Sequence, residues 1–141
     1  MKIYFCGSIR GGRQLASTYE KLITMLGGYG KVLTEHLGSN EIIEKKDRVL
    51  TDKEIHDRDL QWVRESDVVV ADVTVPSLGV GYEIGRAIEM GKPVLCLFNT
   101  SSNYTLSAMI AGSENVVNHP YDKPEELASI LDQFFTAHAP G

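Results

Sequence analysis

Two carboxylates stand out in the sequence because of where their spacing places them. Asp59 lies in a helical pattern over Asp52–Glu65, four residues after Ile55 and three before Trp62, so it projects from an apolar helix face. A carboxylate there must be paired, hydrogen-bonded or open to a cleft. Glu83 falls at the edge of an apolar arc in the first turns of the following helix. Together they could do acid–base or nucleophilic chemistry. Each acid also has a purely structural interpretation. Asp59 could make a structural hydrogen bond, and Glu83 could be an acid that the helix dipole favours near the helix N-terminus.

Three further polar residues could assist these acids. His56 is one turn before Asp59 and is either its partner or a surface histidine. Tyr4 lies in the middle of an apolar run, where its hydroxyl bonds a buried group or holds a carboxylate in place. Ser107 is the small polar residue of LSAMI, which suits helix packing, including packing between subunits.

Two turns carry residues suited to an anion. GSIRGGR begins at Gly7 and supplies the Ser8 hydroxyl and the Arg10 guanidinium, and SLGVGYE begins at Ser77, a candidate N-cap. Neither turn matches a dinucleotide fingerprint or a phosphate-binding P-loop. Ordinary tight turns between a strand and a helix remain the alternative interpretation.

Short apolar runs alternate with helical patterns along the whole chain. The predicted strands are Lys2–Cys6, Lys31–Thr34, Asp67–Val73, Pro93–Phe98 and Asn115–Asn118. The predicted helices are Arg13–Leu26, Asp52–Glu65, Gly79–Met90, Thr105–Ala111 and Pro124–His138. This alternation predicts an α/β fold, a single-domain, Rossmann-like, doubly wound five-stranded parallel sheet over residues 1–141. Ligands of such sheets bind at the carboxyl ends of the strands.

Composition narrows the function classes. The 141 residues carry a net charge of -5, which argues against nucleic acid or an anionic membrane as a partner. Cys6 and Cys96 lie in apolar runs and are expected to be buried thiols, with a disulfide between them as the alternative. No His, Cys, Asp or Glu residues have metal-ligand spacing, so we expect no metal. No membrane span or signal peptide is present, so we expect a soluble cytoplasmic protein, with the nucleus left open as a second compartment. Residues 38–50 are expected to form a mobile loop.

Several motifs taken together resemble a known family. IYFCGSIRGGR, IHDRDLQWV, VTVPSLGVGYEIGRA, GKPVLCLF and LSAMI occur here in that order. They resemble the 2'-deoxynucleoside 5'-monophosphate N-glycosidases of the nucleoside 2-deoxyribosyltransferase superfamily. The resemblance runs from Lys2 to about Ile110 and is weakest at residues 35–52 and in the last helix.

The resemblance implies hydrolysis of a deoxynucleoside 5'-monophosphate to free base and 2-deoxyribose 5-phosphate, without a cofactor. It makes Glu83 the nucleophile, Asp59 the group that protonates the leaving base and handles the water, and Tyr4 the residue that orients the nucleophile. It also implies a homodimer with composite active sites, in which Ser107 comes from the partner subunit. The implied substrate-binding and phosphate-binding residues are Gly7, Ser8, Ile9, Arg10, Ser77, Gly79, Ser107 and Met109.

Two carboxylates at a ligand-binding edge agree with a retaining glycosidase. Glu83 must stay ionised, and Asp59 would benefit from a raised pKa. Transfer of deoxyribose between bases is one alternative, and a silent nucleotide-binding module on the same fold is another. A phosphoribohydrolase is disfavoured because its PGGxGT motif is absent. Base preference stays open.

Overall fold

The computed structural model describes residues 1–8, 13–34 and 50–138, with the backbone alone at 13 and 14. Its strands are β1 (Lys2–Gly7), β2 (Lys31–Val32), β3 (Val68–Asp72), β4 (Val94–Asn99) and β5 (Val117–Tyr121). They form one sheet in the order β2-β1-β3-β4-β5, and every neighbouring pair is parallel. The predicted α/β fold with a five-stranded parallel sheet is therefore confirmed. The strand order reverses between β1 and β3, which is where such sheets bind ligands.

Helices cover both faces of this sheet. They are α1 (Arg13–Gly27), α2 (Asp52–Glu65), α3 (Leu78–Glu89), α4 (Ala108–Ala111) and α5 (Leu127–Ala137). Side chains of α1 and α5 pack in one apolar cluster with one face of the sheet, and those of α2 and α3 pack in a second cluster with the other face. The chain is thus doubly wound.

The alternation of side chains along β1 decides which residues meet the second pair of helices. Ile3 and Phe5 belong to the cluster with α1 and α5, while Tyr4 and Cys6 belong to the cluster with α2 and α3. Tyr4 therefore points to the same side of the sheet as the helices that carry Asp59 and Glu83.

Both of those helices begin at well-formed caps. Thr51 accepts a hydrogen bond from the Glu54 backbone N–H at 3.2 Å, and the Glu54 side chain reaches back to Thr51. Ser77 Oγ accepts the Val80 backbone N–H at 3.3 Å, as expected of a candidate N-cap. The two helix starts, and the carboxylates that follow them, are fixed by local sequence.

Two strand boundaries differ from the predicted ones by several residues. β2 ends at Val32 rather than Thr34 because the Thr34 hydroxyl donates to the Phe5 carbonyl at 2.6 Å and accepts its N–H at 3.1 Å, in place of a backbone ladder. β5 runs over Val117–Tyr121 rather than 115–118. Pro120 is tolerated inside it because β5 is an edge strand, paired only to β4.

Two helix starts differ from the predicted ones by three residues, for local reasons. α4 begins at Ala108 because Ser107, predicted inside the helix, is its N-cap. The last helix is preceded by a separate 3₁₀ turn over Pro124–Glu126. β1, β3, β4, α1 and α3 lie within about two residues of the predicted bounds, and α2 matches them. The predicted loop at 38–50 lies outside the described residues except for Leu50.

Cys6 and Cys96 are both buried and free, which confirms the predicted thiols. Among the helices that the structure describes, none is long and apolar enough to span a bilayer.

Candidate active site

The centre of the site is a contact between β1 and α3. The Tyr4 hydroxyl donates a hydrogen bond to Glu83 Oε2, and Tyr4 itself is almost wholly buried. The partners are 79 residues apart in the chain, so only the packing of α3 on the sheet brings them together. The predicted tyrosine–carboxylate pair is present in the structure.

The surroundings of Glu83 make it a carboxylate that titrates near neutrality. Burial raises the pKa of Glu83 to about 7, the Tyr4 hydrogen bond lowers it, the charge of Asp59 raises it, and the charge of Arg58 lowers it. Burial and the negative charge of Glu83 also raise the pKa of Tyr4 well above its usual value, so the phenol keeps its proton and acts as a donor. At neutral pH Glu83 is therefore divided between its ionised and protonated forms.

Asp59 is paired with a residue that the sequence did not suggest. Its Oδ1 accepts from Arg58 Nε at 2.9 Å, and the second guanidinium nitrogen of Arg58 also lies 2.9 Å away. The guanidinium carbon of Arg58 lies 4.8 Å from the centre of the Trp62 ring, so it is held between a carboxylate and an aromatic face. Of the two predicted roles for His56, its partnership with Asp59 is not what the structure shows, because His56 contacts Asp57 and Tyr82 instead.

Both carboxylates open onto one pocket of about 220 Å³ between α2 and α3. The α2 wall includes Asp52, Ile55, His56 and Asp59, spaced as one face of a helix. Asp59 thus escapes the cost of core burial by opening onto a cleft. Of the explanations that the sequence left open for Asp59, the structure shows both a charged partner, Arg58, and an opening onto a cleft.

The first turn of α3 connects this pocket to its helix N-terminus. A Cβ added at Gly79 would lie 3.8 Å from Ser77 Oγ and 4.0 Å from Glu83 Oε1. Because Tyr4 takes Oε2, Oε1 is the oxygen that faces this space. Gly79 therefore lies between the Ser77 hydroxyl and Glu83 Oε1, and a side chain at this position would contact both.

The turn after β1 is described only in part. Gly7 ends β1, and an added Cβ would lie 2.6 Å from the Tyr19 ring, so no larger residue fits without a shift. Ser8 is buried just beyond it. Ile9 and Arg10, the other residues predicted to bind substrate from this turn, lie outside the described residues.

Ser107 and Met109 lie in a different place. They line an apolar groove of about 730 Å³ between α3 and α4, which also reaches Ser77. Leu78 and Met109 at this groove are 96% and 83% exposed. Among the described residues, the lining of the Glu83 pocket does not include Ser107 or Met109.

A third acid, Asp72, lies deep in the fold at the end of β3. It has no exposed surface, and its carboxylate accepts from the Thr74 N–H and the Tyr121 hydroxyl, both at 3.0 Å. Burial raises the pKa of Asp72. Thr74 Oγ1 in turn accepts the Asn99 N–H at 2.9 Å, so this network anchors the start of the segment that leads to Ser77.

The model of the family described as nucleoside 2-deoxyribosyltransferase matches residues 3–127. The chain belongs to the nucleoside 2-deoxyribosyltransferase family. The match covers all five strands, both carboxylate helices and the groove, and so includes every predicted site residue.

The proteins similar to this chain include named N-hydrolases and an N-glycosidase of known structure. A 5-hydroxymethyl-dUMP N-hydrolase from Tetraodon nigroviridis is 51% identical, over 96% of this chain and 98% of that protein. Another from Mus musculus is 48% identical, over 98% of this chain and 82% of that protein. The solved structure of a Clostridium botulinum CMP N-glycosidase superposes with a TM-score of 0.70 at 25% identity, over 94% of this chain and 98% of that one.

Apart from those in the turn after β1, the predicted site residues of this deoxyribosyltransferase-family chain lie in three places. Asp59, Glu83 and Gly79 line one pocket, and Tyr4 is bonded to Glu83. Ser77 lies at the helix start beside it, and Ser107 and Met109 lie in the neighbouring groove. In the part of the chain that is described, no cluster of three or more His, Cys, Asp or Glu side chains could hold a metal ion.

Proposed function

We propose that this chain hydrolyses the N-glycosidic bond of 2'-deoxynucleoside 5'-monophosphates, releasing the free base and 2-deoxyribose 5-phosphate. Its family and its relatives named as N-hydrolases make it an enzyme that acts on N-glycosyl bonds. The observation that carries the finer proposal is the hydrogen bond from Tyr4 to Glu83, in a pocket that Asp59 shares.

Glu83 is the proposed nucleophile. Tyr4 fixes Oε2, so Oε1 attacks C1' of the deoxyribose, the bond from C1' to the base nitrogen breaks, and the base leaves with the electron pair. The negative charge beside C1' stabilises the positive charge that develops on the sugar. Because the sugar lacks a 2'-hydroxyl, that positive charge forms more readily.

Asp59 is the proposed acid and base. It gives a proton to the leaving base and then takes one from the water that attacks C1', which frees Glu83 with overall retention. Arg58 contacts the Asp59 carboxylate at 2.9 Å and can hold it in place beside the leaving base. The proposed cycle requires that Asp59 carries a proton when the base leaves.

The 5'-phosphate is proposed to bind at the N-terminus of α3. The Ser77 hydroxyl accepts from Val80 and still has its own hydrogen to donate, and the helix dipole favours an anion. Ser8, Arg10 and the backbone at Gly7, Ile9 and Gly79 are proposed to complete the site. The gap beside Gly79 lets one ligand reach from this phosphate end to Glu83 Oε1.

A second copy of the chain is the proposed occupant of the apolar groove. The groove combines two strongly exposed apolar side chains, Leu78 and Met109, with Ser107 and the phosphate-end Ser77. A two-fold axis through it would place Ser107 and Met109 of each chain at the phosphate end of the other.

The test is base release from the four deoxynucleoside monophosphates and 5-hydroxymethyl-dUMP, beside their ribonucleotide and unphosphorylated forms. We expect release from the deoxynucleotides, at least about a thousandfold loss in Glu83→Gln, and a deoxyribose 5-phosphate adduct on the Glu83 peptide when Asp59→Asn is quenched during turnover. Nucleotide binding without base release would support the silent module instead. Base exchange with an added free base, exceeding hydrolysis, would support the transferase.

Subunit mixing tests the composite site. Glu83→Ala and Ser107→Trp chains should each be inactive, and activity should return when they exchange, because the mixed dimer has one intact site. An active monomer, or no recovery despite proven exchange, would contradict the shared site.

A further inference from the structure

A second polar group lines the Glu83 pocket and has no part in the chemistry proposed above. His56 on α2 and Tyr82 on α3 face each other across the pocket, with His56 Nε2 2.9 Å from the Tyr82 oxygen and ring centres 5.5 Å apart. About half of each side chain is exposed, so an incoming ligand can reach both. We call these two residues the His–Tyr pair.

The neighbours of the pair fix where its protons lie. Arg86 donates to the Tyr82 oxygen at 2.9 Å and can only donate, and Asp57 Oδ1 lies 2.9 Å from His56 Nδ1 and can only accept when ionised. In neutral His56, Nδ1 therefore carries the hydrogen toward Asp57, and Nε2 accepts the Tyr82 hydroxyl hydrogen. The pair thus presents a donor, Tyr82 O–H, directly facing an acceptor, His56 Nε2.

The rest of the described pocket lining cannot supply this combination. Its remaining side chains are carboxylates or apolar groups, namely Asp52, Ile55, Asp59, Leu60 and Glu83, with Gly79 beside them. Ionised carboxylates only accept hydrogen bonds, and Glu83 and Asp59 are already assigned to the sugar and the leaving group. Within the lining that the structure describes, the His–Tyr pair is therefore the combination of donor and acceptor that is left for another group of the ligand.

The position of the pair suits the base of the proposed substrate. With the phosphate at Ser77 and the sugar at Glu83 Oε1, the α2 wall is left for the base. On that wall Asp59 lies at the glycosidic bond, and His56, one helical turn earlier, faces a part of the base farther from it.

We propose that the His–Tyr pair is a specificity-determining element that recognises a hydroxyl group on the edge of the nucleobase, an inference that rests on the proposed function. A hydroxyl inserts between the two side chains, accepting from Tyr82 and donating to His56 Nε2. The single hydrogen bond within the pair is then replaced by two hydrogen bonds to the ligand. A methyl group in the same place leaves the pair bonded to itself and gains neither contact.

The test compares two substrates that differ only in that hydroxyl, 5-hydroxymethyl-dUMP and thymidine 5'-monophosphate. We expect wild-type kcat/KM to favour the hydroxymethyl substrate by about 3- to 10-fold, the worth of one net hydrogen bond. Tyr82→Phe and His56→Phe each keep an aromatic ring and should bring this ratio close to one. Tyr104→Phe, a change at an exposed tyrosine before α4, is the matched control and should keep the wild-type ratio.

The ratio separates recognition from a structural role. If the pair only joined α2 to α3, Tyr82→Phe would lower kcat/KM for both substrates equally, and an unchanged ratio in both variants overturns the proposal. Should a variant fold poorly, the ratio of the dissociation constants of the two nucleotides is measured instead, for Glu83→Gln alone and for Glu83→Gln combined with His56→Phe. Wild-type base release with no hydroxyl preference overturns this inference alone, whereas no base release from any deoxynucleotide overturns the proposed function with it.

Discussion

Replacing Tyr4 by phenylalanine removes one hydroxyl from the centre of the site and leaves the ring in the core. The hydroxyl donates to Glu83 Oε2 and is the strongest influence that opposes burial on this carboxylate. Without it, the protonated form of Glu83 is favoured more strongly. We therefore expect the activity of Tyr4→Phe to require a higher pH than the wild-type activity does.

The size of the shift follows from the strength of such a bond. A hydrogen bond to a charged group contributes about 1.5–3 kcal/mol, and about 1.4 kcal/mol moves a pKa by one. From a starting pKa of about 7, the Glu83 pKa in the variant should rise by roughly 1–2. The ionised fraction at pH 7 then falls from about one half to between about 10% and 1%, a loss of about 5- to 50-fold that is recovered near pH 9.

The measurement is kcat/KM for base release between pH 5 and 10, because this parameter reports the free enzyme. The same nucleotide is used throughout, so the ionisation of its phosphate contributes equally to both profiles. Tyr29→Phe is the matched control, since Tyr29 also donates to a carboxylate, that of Asp132. An equal loss at every pH, or an acid limb that does not move, would show that Tyr4 does not control the ionisation of Glu83.

Three further substitutions should change stability and activity in different ways. At pH 8 the free energy of unfolding of Glu83→Gln should exceed that of the wild type by at most about 3 kcal/mol, and at pH 4 the two should be equal. The reason is that the raised pKa of Glu83 makes the wild-type fold lose stability as pH rises from about 4.5 through about 7. Gly79→Ala should gain about 0.5–1 kcal/mol of stability in denaturant titrations while base release falls, since the added methyl has room but lies between Ser77 and Glu83 Oε1; unchanged activity would show that the substrate does not cross this space. Ser77→Asp should keep the melting temperature, because aspartate also caps helices, but raise KM for nucleotides at least about tenfold by repelling phosphate; an unchanged KM would place the phosphate elsewhere.

Much of the fold could be predicted because its signals are local. Buried strands read as short apolar runs, and Thr51 and Ser77 mark helix starts through caps that involve residues three positions away. The errors lie where a long-range partner decides. Thr34 ends β2 through the backbone of Phe5, and the place of Pro120 depends on β5 being an edge strand.

The sequence predicted that Tyr4 would bond a carboxylate and that Asp59 and Glu83 would lie at one edge of the sheet, but it did not predict the partners of these acids. Neighbouring residues on a helix do not normally face each other, so the contact of Arg58 with Asp59 carries no periodic signal. The approach of Tyr82 to His56 depends on how α2 packs against α3, which the spacing of neither helix reveals. Asp72 ends its strand like a boundary acid, and its buried carboxylate is satisfied by the nearby Thr74 N–H and by the Tyr121 hydroxyl from an edge strand, a partner that the sequence does not reveal.

The first residue of α3 has a consequence for how activity depends on enzyme concentration. Leu78 is almost fully exposed in the groove and directly follows Ser77, the cap at the phosphate end. A phosphate bound at Ser77 and a second chain packed on Leu78 would share one helical turn. Thermodynamic linkage requires any effect of one on the affinity for the other to be reciprocal. If the proposed dimer places Ser107 of one chain at the phosphate end of the other, the effect is favourable. Diluting the enzyme below the dissociation constant of that dimer should then raise the apparent KM, and saturating nucleotide should hold the two chains together.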